Sequence, residues 1–300
     1  MARETSRQDL YSEVTNRIIA EMEEGRLPWV QPWDTTACGC TLPHNAGTGR
    51  RYSGINILIL WAAAVEGGYA SQRWLTFRQA QALGGSVRKG EKGTTVCYAD
   101  RFTPKGEDAR AADEDREART VAFLKRFTVF NIDQCDGLPD EITAPTAPLP
   151  EREAIPRAEA LMAACGANIR IGGDHAFYAP VLDMVQLPQQ QAFRDQINYY
   201  RTALHELGHR TGHRSRLDRD QTGAYGSNAY AREELVAELC AAFSCASLGI
   251  RPTVRHADYV ACWLEVLRED ARATFRAASQ ASKAADFLLA FDAGEASDVA

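Results

Sequence analysis

The strongest constraint on how this chain folds is a stretch of helical periodicity that ends in His205-Glu206-Leu207-Gly208-His209. Phe193, Ile197, Tyr200, Leu204 and Leu207 recur at intervals of four, three, four and three residues. That spacing marks the buried stripe of an amphipathic helix over residues 189–211. At about 100° per residue, His205 and His209 sit about 120–160° around from Phe193. They flank the core face and point into a groove. Two imidazoles one turn apart can reach a single cation, and Glu206 between them can accept a proton from water held there. Gly212 stands where the helix can end.

A catalytic site of this type takes a third protein ligand and leaves one position for solvent. His213 is close in sequence, but the extended HExxHxxGxxH pattern would need a histidine where Ser215 stands. Glu234, 25 residues after His209, is the better candidate. It opens Glu234-Leu235-Val236-Ala237-Glu238 on a further predicted helix, and small residues Ala241 and Cys245 continue the face it shares with Glu238. One of these carboxylates can ligate while the other orients a ligating histidine through its ring N–H. Two plainer readings stand beside this one. Glu233-Glu234 suit the positive end of a helix dipole on an exposed surface. A closed structural metal site could instead recruit Cys240 and Cys245. Zinc matches a His, His, Glu set, and manganese or nickel can occupy the same donors.

Five prolines, Pro139, Pro145, Pro148, Pro150 and Pro156, mark residues 139–156 as a semi-rigid linker. The expected class is α+β with two domains, an N-terminal α/β domain over 1–138 and a C-terminal domain over 157–291 that carries the HExxH helix; 292–300 read as a frayed tail. In the first domain, Leu10, Val14, Ile18 and Met22 predict a helix over 7–25. A second helix is expected over 54–66, a strand at Trp74–Phe77, a helix at Arg78–Leu83, and strands over 94–103 and 120–132 around a charged, mobile tip at 105–119. In the second, a helix is expected over 151–165, a strand pair over 168–187 turning at Gly172-Gly173, and helices over 230–248, 253–278 and 281–291.

Charge separates the halves further. The chain carries −6 overall, yet residues 44–105 hold nine basic and three acidic side chains. Arg50, Arg51, Arg88, Lys89 and Lys92 are interleaved there with Tyr52 and Trp74. Single-strand binders combine such a basic groove with aromatic faces on which bases stack. The turn Arg88-Lys89-Gly90-Glu91-Lys92-Gly93 can offer backbone N–H groups to a phosphate. A solvated basic face is the plainer alternative. Trp29 and Trp33, beside Pro28 and Pro32, read as exposed aromatics or as a clamp on the first helix. Trp61 follows Ile57, Leu58 and Leu60 and reads as core; Trp74 and Phe77 fit either role. Cys38-Gly39-Cys40 has no matching second pair for a zinc knuckle.

At 45% hydrophobic and 25% charged residues, the chain is neither collagen-like nor wholly disordered. The apolar run Ile55–Val65 is interrupted by Asn56 and too short to span a bilayer. The opening residues lack the apolar core of a signal peptide. A cytoplasmic protein with no membrane partner and eight reduced cysteines is expected.

The pair His205-Glu206-x-x-His209 and Glu234-x-x-Ala237-Glu238 resembles the gluzincin metallopeptidases. The resemblance implies His205, His209 and Glu234 as ligands, Glu206 as general base and Glu238 as their support. More widely, residues 9–33, Pro43-His44-Asn45, Thr48–Asn56 and Arg73–Thr94 resemble the ArdC-type antirestriction proteins of conjugative plasmids. So do Ala176–Pro188, Asn198–His213, Glu233–Phe243 and Ala257–Leu267, in the same order. That resemblance implies a single-stranded-DNA-binding domain joined to a zincin-like domain, protecting incoming plasmid DNA from host restriction. TraC-type primases carry a similar N-terminal domain, so that half alone does not fix the role. A regulatory peptidase resembling the ImmA/IrrE type, cleaving a DNA-bound repressor, is a second expectation, and a DNA binder with a purely structural metal is a third. For the peptidase, the segment His175–Leu187 could pair with an extended protein substrate, and Tyr259 or His256 could stabilise an oxyanion.

Overall fold

A computed structural model describes residues 2–29, 41–103, 110, 121–144, 151–224, 226–250 and 260–292. Trp33, Cys38, Cys40, His256, Tyr259, nearly all of the charged tip and the tail beyond 292 lie outside the described residues.

The N-terminal half opens with helix α1 (Ala2–Glu23), followed by strand β1 (His44–Asn45), helix α2 (Ile55–Gly67) and strand β2 (Arg73–Thr76). Helix α3 (Phe77–Ala82) starts from Thr76, which forms a reciprocal capping box with Gln79. Then come β3 (Ser86–Val87), the long pair β4 (Thr94–Phe102) and β5 (Val121–Asn131), β6 (Cys135–Asp136) and a short α4 (Asp140–Thr143). The main sheet has the order β1-β2-β5-β4. The strands β4 and β5 run antiparallel in register from Thr94 opposite Val129 to Phe102 opposite Val121.

Helix α5 (Glu151–Ala164) opens the second half and contains Pro156, so regular structure begins inside the proline-rich stretch. A three-stranded sheet follows, β7 (Asn168–Ile171), β8 (Phe177–Ala179) and β9 (Met184–Leu187), ordered β7-β9-β8. This corrects the expected hairpin at Gly172-Gly173: β7 and β9 are parallel, and the antiparallel pair is β8 with β9. Helix α6 (Ile197–Thr211) carries the histidines, and α7 (Asn228–Leu248), α8 (Val260–Glu269) and α9 (Ala273–Leu289) complete the half. Two helix boundaries differ from expectation. The chain before α6 is a 3-10 turn over Gln190–Ala192, leaving Phe193 extended and half-buried ahead of the helix. The last break falls at 270–272, where the Asp270 carboxylate accepts from the Arg272 N–H and its carbonyl from the Ala273 N–H. Ser279 and Gln280 are therefore helical.

One apolar core joins the two halves. Leu10, Ile18, Met22 and Trp29 pack in the same cluster as Leu204, Leu239, Trp263 and Leu288. Trp29, which the sequence allowed as an exposed aromatic or as a clamp on the first helix, is 1% exposed and meets Trp263 edge-to-face at 5.7 Å, so it offers no stacking face to DNA. Trp74 is likewise buried, against Tyr69. Trp61 is core as its apolar neighbours suggested, and its indole N–H donates to the Thr41 carbonyl. Among the described residues, no helix is long and apolar enough to cross a membrane.

Candidate metal centre and nucleic-acid face

Helices α6 and α7 pack unusually closely because small residues meet between them. A Cβ added to Gly208 would lie 3.4 Å from the Ala237 backbone and 3.3 Å from the Cys240 side chain. This contact draws the histidine face of α6 onto the carboxylates of α7. Ser227 caps α7 by accepting the Tyr230 N–H, fixing where those carboxylates fall along the helix.

The Nε2 atoms of His205 and His209 face the two oxygens of Glu234 at 3.5 and 3.4 Å. One ligating atom from each of the three residues falls within 4.8 Å of the others. Among the described residues, this is the group of three that can hold one metal ion. Two nitrogens and a carboxylate oxygen, converging from two helices with His205 and Glu234 buried and His209 partly so, fit zinc or another divalent first-row cation. Glu206 lines the same 330 Å³ cleft, with Tyr178 and Tyr230 on its walls.

The other nitrogen of each ring is also matched to a carboxylate. His205 Nδ1 lies 3.5 Å from Glu238, which in turn accepts from the buried Arg201 guanidinium. His209 Nδ1 lies 3.3 Å from Glu233. Burial opposes charging of both imidazoles, but Glu234 and Glu238 hold His205 up at about 10, and Glu233 and Glu234 hold His209 up at about 9. Burial also opposes ionisation of Glu234, yet the two histidines keep it well below the usual carboxylate range. The carboxylates draw protons onto the two imidazoles, and a divalent cation held by the same donors would displace those protons.

Sequence reasoning assigned Glu238 and missed Glu233, whose position suited an exposed helix start. Glu233 is instead buried, and the loop after α6 folds back to hold it. Arg219 donates to both of its carboxylate oxygens, to the Thr211 hydroxyl and to the Gly208 carbonyl. Gln221 donates to Glu233 and to the His209 carbonyl. His213 stays outside the ligand group and bonds Ser215. Cys240 and Cys245 are buried in the core, where desolvation pushes each thiol up to about 12, so neither offers a ready thiolate.

On the N-terminal half, Arg50, Arg51, Arg88, Lys89 and Lys92 are exposed and Tyr52 is half-buried. Arg88 is shared with Glu91 at 2.9 Å. Trp29 and Trp74, being buried, offer no face to a base. Among the described residues of this half, Phe77, Tyr98 and Phe127 do, each close to half exposed, with Tyr98 and Phe127 edge-to-face at 6.1 Å on β4 and β5.

Fold and site together define a two-domain protein with a zincin-like metallopeptidase domain. A family model of that description matches residues 156–280, and one for the N-terminal domain of anti-restriction factor ArdC matches residues 8–130. Crystal structures of the antirestriction ArdC protein from plasmid R388 superpose with TM-scores of 0.79 for the metal-free form and 0.78 for the Mn(II)-bound form. They are 40% and 41% identical, and cover 95% of this chain and 98% of theirs. An uncharacterised protein of Sinorhizobium fredii, y4eC, is 46% identical over 94% of this chain and 92% of its own length. A DNA primase TraC of Escherichia coli is 42% identical, and the alignment spans 27% of the primase. The chain belongs to the ArdC-type antirestriction proteins.

Proposed function

We propose that this protein binds single-stranded DNA through its N-terminal half and works in the cytoplasm to protect incoming DNA from host restriction, with a zinc metallopeptidase site in its C-terminal half. The observation that carries the peptidase reading is the convergence of His205, His209 and Glu234 in a cleft that Glu206 lines. A divalent cation held by those three residues would supply Lewis acidity. Glu206 takes a proton from the attacking water at its carboxylate and returns it to the departing amine. Glu238 and Glu233 keep both Nε2 atoms turned inward. Strand β8 lines the cleft and is an edge strand of its sheet, so an extended protein substrate can add along it.

For the DNA half, the support is the exposed basic set around Arg50, Arg51, Arg88, Lys89 and Lys92, together with exposed Tyr98 and Phe127. Anisotropy titrations of a labelled single-stranded oligonucleotide across a salt series test it. Affinity should fall steeply with salt, and an absence of salt-sensitive binding would remove this half of the reading. For the peptidase half, Glu206→Gln should retain bound metal and lose protection of transferred DNA. Full protection by that variant in mating assays would separate hydrolysis from the role.

A further inference from the structure

A second cleft, of about 640 Å³, lies where the N-terminal half meets α9, and it shares no lining residue with the cation cleft. Tyr11, Asn56 and Tyr98 line it from one side, and Arg272, Phe275 and Arg276 from the other. Neither an aspartate nor a glutamate is among its lining residues. The groove between α1 and α2 is different in kind: Glu13, Glu21 and Glu66 outnumber Arg17 and Lys92 along it, which disfavours a polyanion.

We propose that the α9 cleft is a nucleotide-binding subsite for single-stranded DNA, so that the zincin-like half supplies part of the nucleic-acid surface. The inference rests on the single-strand-binding reading given above. Three observations support it. The walls pair cations with aromatic rings: Tyr11 and Phe275 meet edge-to-face at 4.5 Å, and the Arg272 guanidinium lies 5.2 Å from the Tyr11 ring centroid. That is the chemistry that takes a base against a ring and a phosphate against a guanidinium. Second, the cleft is built in advance of any ligand. The Asn56 amide bonds both backbone groups of Cys97, fastening α2 to β4, and the Gly54 N–H donates to the Ser282 hydroxyl on α9. Third, it is continuous with the exposed surface. Tyr98 belongs to its wall and also to the exposed pair with Phe127, and Lys125 stands opposite Tyr98 across the β4–β5 ladder. Arg50 and Arg51 lead directly into Ser53 and Gly54 on the rim. Arg276 is shared with Asp270, whereas Arg272, among the described residues, is held by its stacking position over Tyr11.

The test uses the full chain and a labelled, mixed-sequence single-stranded oligonucleotide over a salt series. Arg272→Ala with Arg276→Ala should weaken binding about 10-fold at low salt and reduce the log–log salt slope by about 1.4, at roughly 0.7 per phosphate contact. The corresponding lysine pair should restore the slope. Tyr98→Ala should weaken binding about 5- to 150-fold with the slope unchanged, as loss of a stacking partner does. Wild-type affinity and slope in an alanine pair that melts like wild type would overturn the proposal. Photocrosslinking of bromodeoxyuridine-substituted DNA to the wild-type protein gives a reading independent of variant folding: adducts at Tyr98, Phe275 or Tyr11 are expected, and adducts confined to other peptides would overturn it. A wild-type protein with no salt-sensitive affinity at all would instead defeat the underlying reading, and the subsite with it.

Discussion

Arg219 grips Glu233 as a two-pronged fork, with Nε 3.0 Å from one carboxylate oxygen and a terminal nitrogen 2.7 Å from the other. Glu233 in turn faces the ring nitrogen of His209 that points away from Glu234. The loop following α6 thereby sets the rotation of an imidazole on α6 itself. Arg219→Ala should lower affinity for Mn(II) or Zn(II) by about 10- to 100-fold, as loss of a group orienting a ligand does. Chelator competition measures this directly. Arg219→Lys should recover only part of it, since an ammonium cannot match both oxygens.

Removing Glu234 should act differently. Glu234→Ala deletes a donor, so stoichiometric metal is lost, whereas Glu206→Gln keeps its metal. Elemental analysis of the two variants after dialysis distinguishes them. Stoichiometric metal in Glu234→Ala would dismiss this residue as a ligand.

The close approach of α6 and α7 depends on Gly208 and Ala237. Ala237 is fully buried, and Ala237→Leu forces extra methylenes between the helices. A cost of about 1–3 kcal/mol is expected from overpacking. Thermal melts should show the loss, and metal affinity should fall with it, because Glu234 is carried away from the histidines.

A further expectation concerns acid. Asp183 is held at about 2, chiefly by its bonds from Arg216, with help from the Tyr178 hydroxyl. Its folded value lies below the ordinary 3.8. The stabilisation is therefore complete above about pH 4 and disappears as pH falls toward 2. Since the side chain is partly exposed, about 1 kcal/mol is a reasonable size after solvent screening. Asp183→Asn tolerates the positive φ at this position and keeps a polar partner for Tyr178. Its melting temperature should be lower than wild type at neutral pH, and the difference should vanish near pH 2.

Sequence periodicity carried the histidine pair because a helix face is a local property: residues 205 and 209 share a side wherever the helix packs. Glu234 and Glu238 were legible for the same reason, as carboxylates one turn apart on an otherwise apolar helix. Glu233 was not, because what distinguishes it from a solvated helix start is Arg219, brought in by a loop. The burial of Trp29 and Trp74, each of which fitted a surface or a core role, was not legible for a similar reason. Neighbouring prolines suggest a surface loop, but the burial of Trp29 comes from Trp263, more than two hundred residues away. The parallel pairing of β7 with β9 depends on the intervening β8, and no turn signature at Gly172-Gly173 can report it.

The opening helix is finished by the end of the chain. Thr15 donates to the Ala271 carbonyl, Glu23 pairs with Arg268, and Trp29 rests on Trp263. During synthesis on the ribosome, α1 must wait with its apolar face uncovered until α8 and α9 have emerged from the exit tunnel. Fragments cut between the halves should therefore be sticky when made separately and should regain solubility when co-expressed.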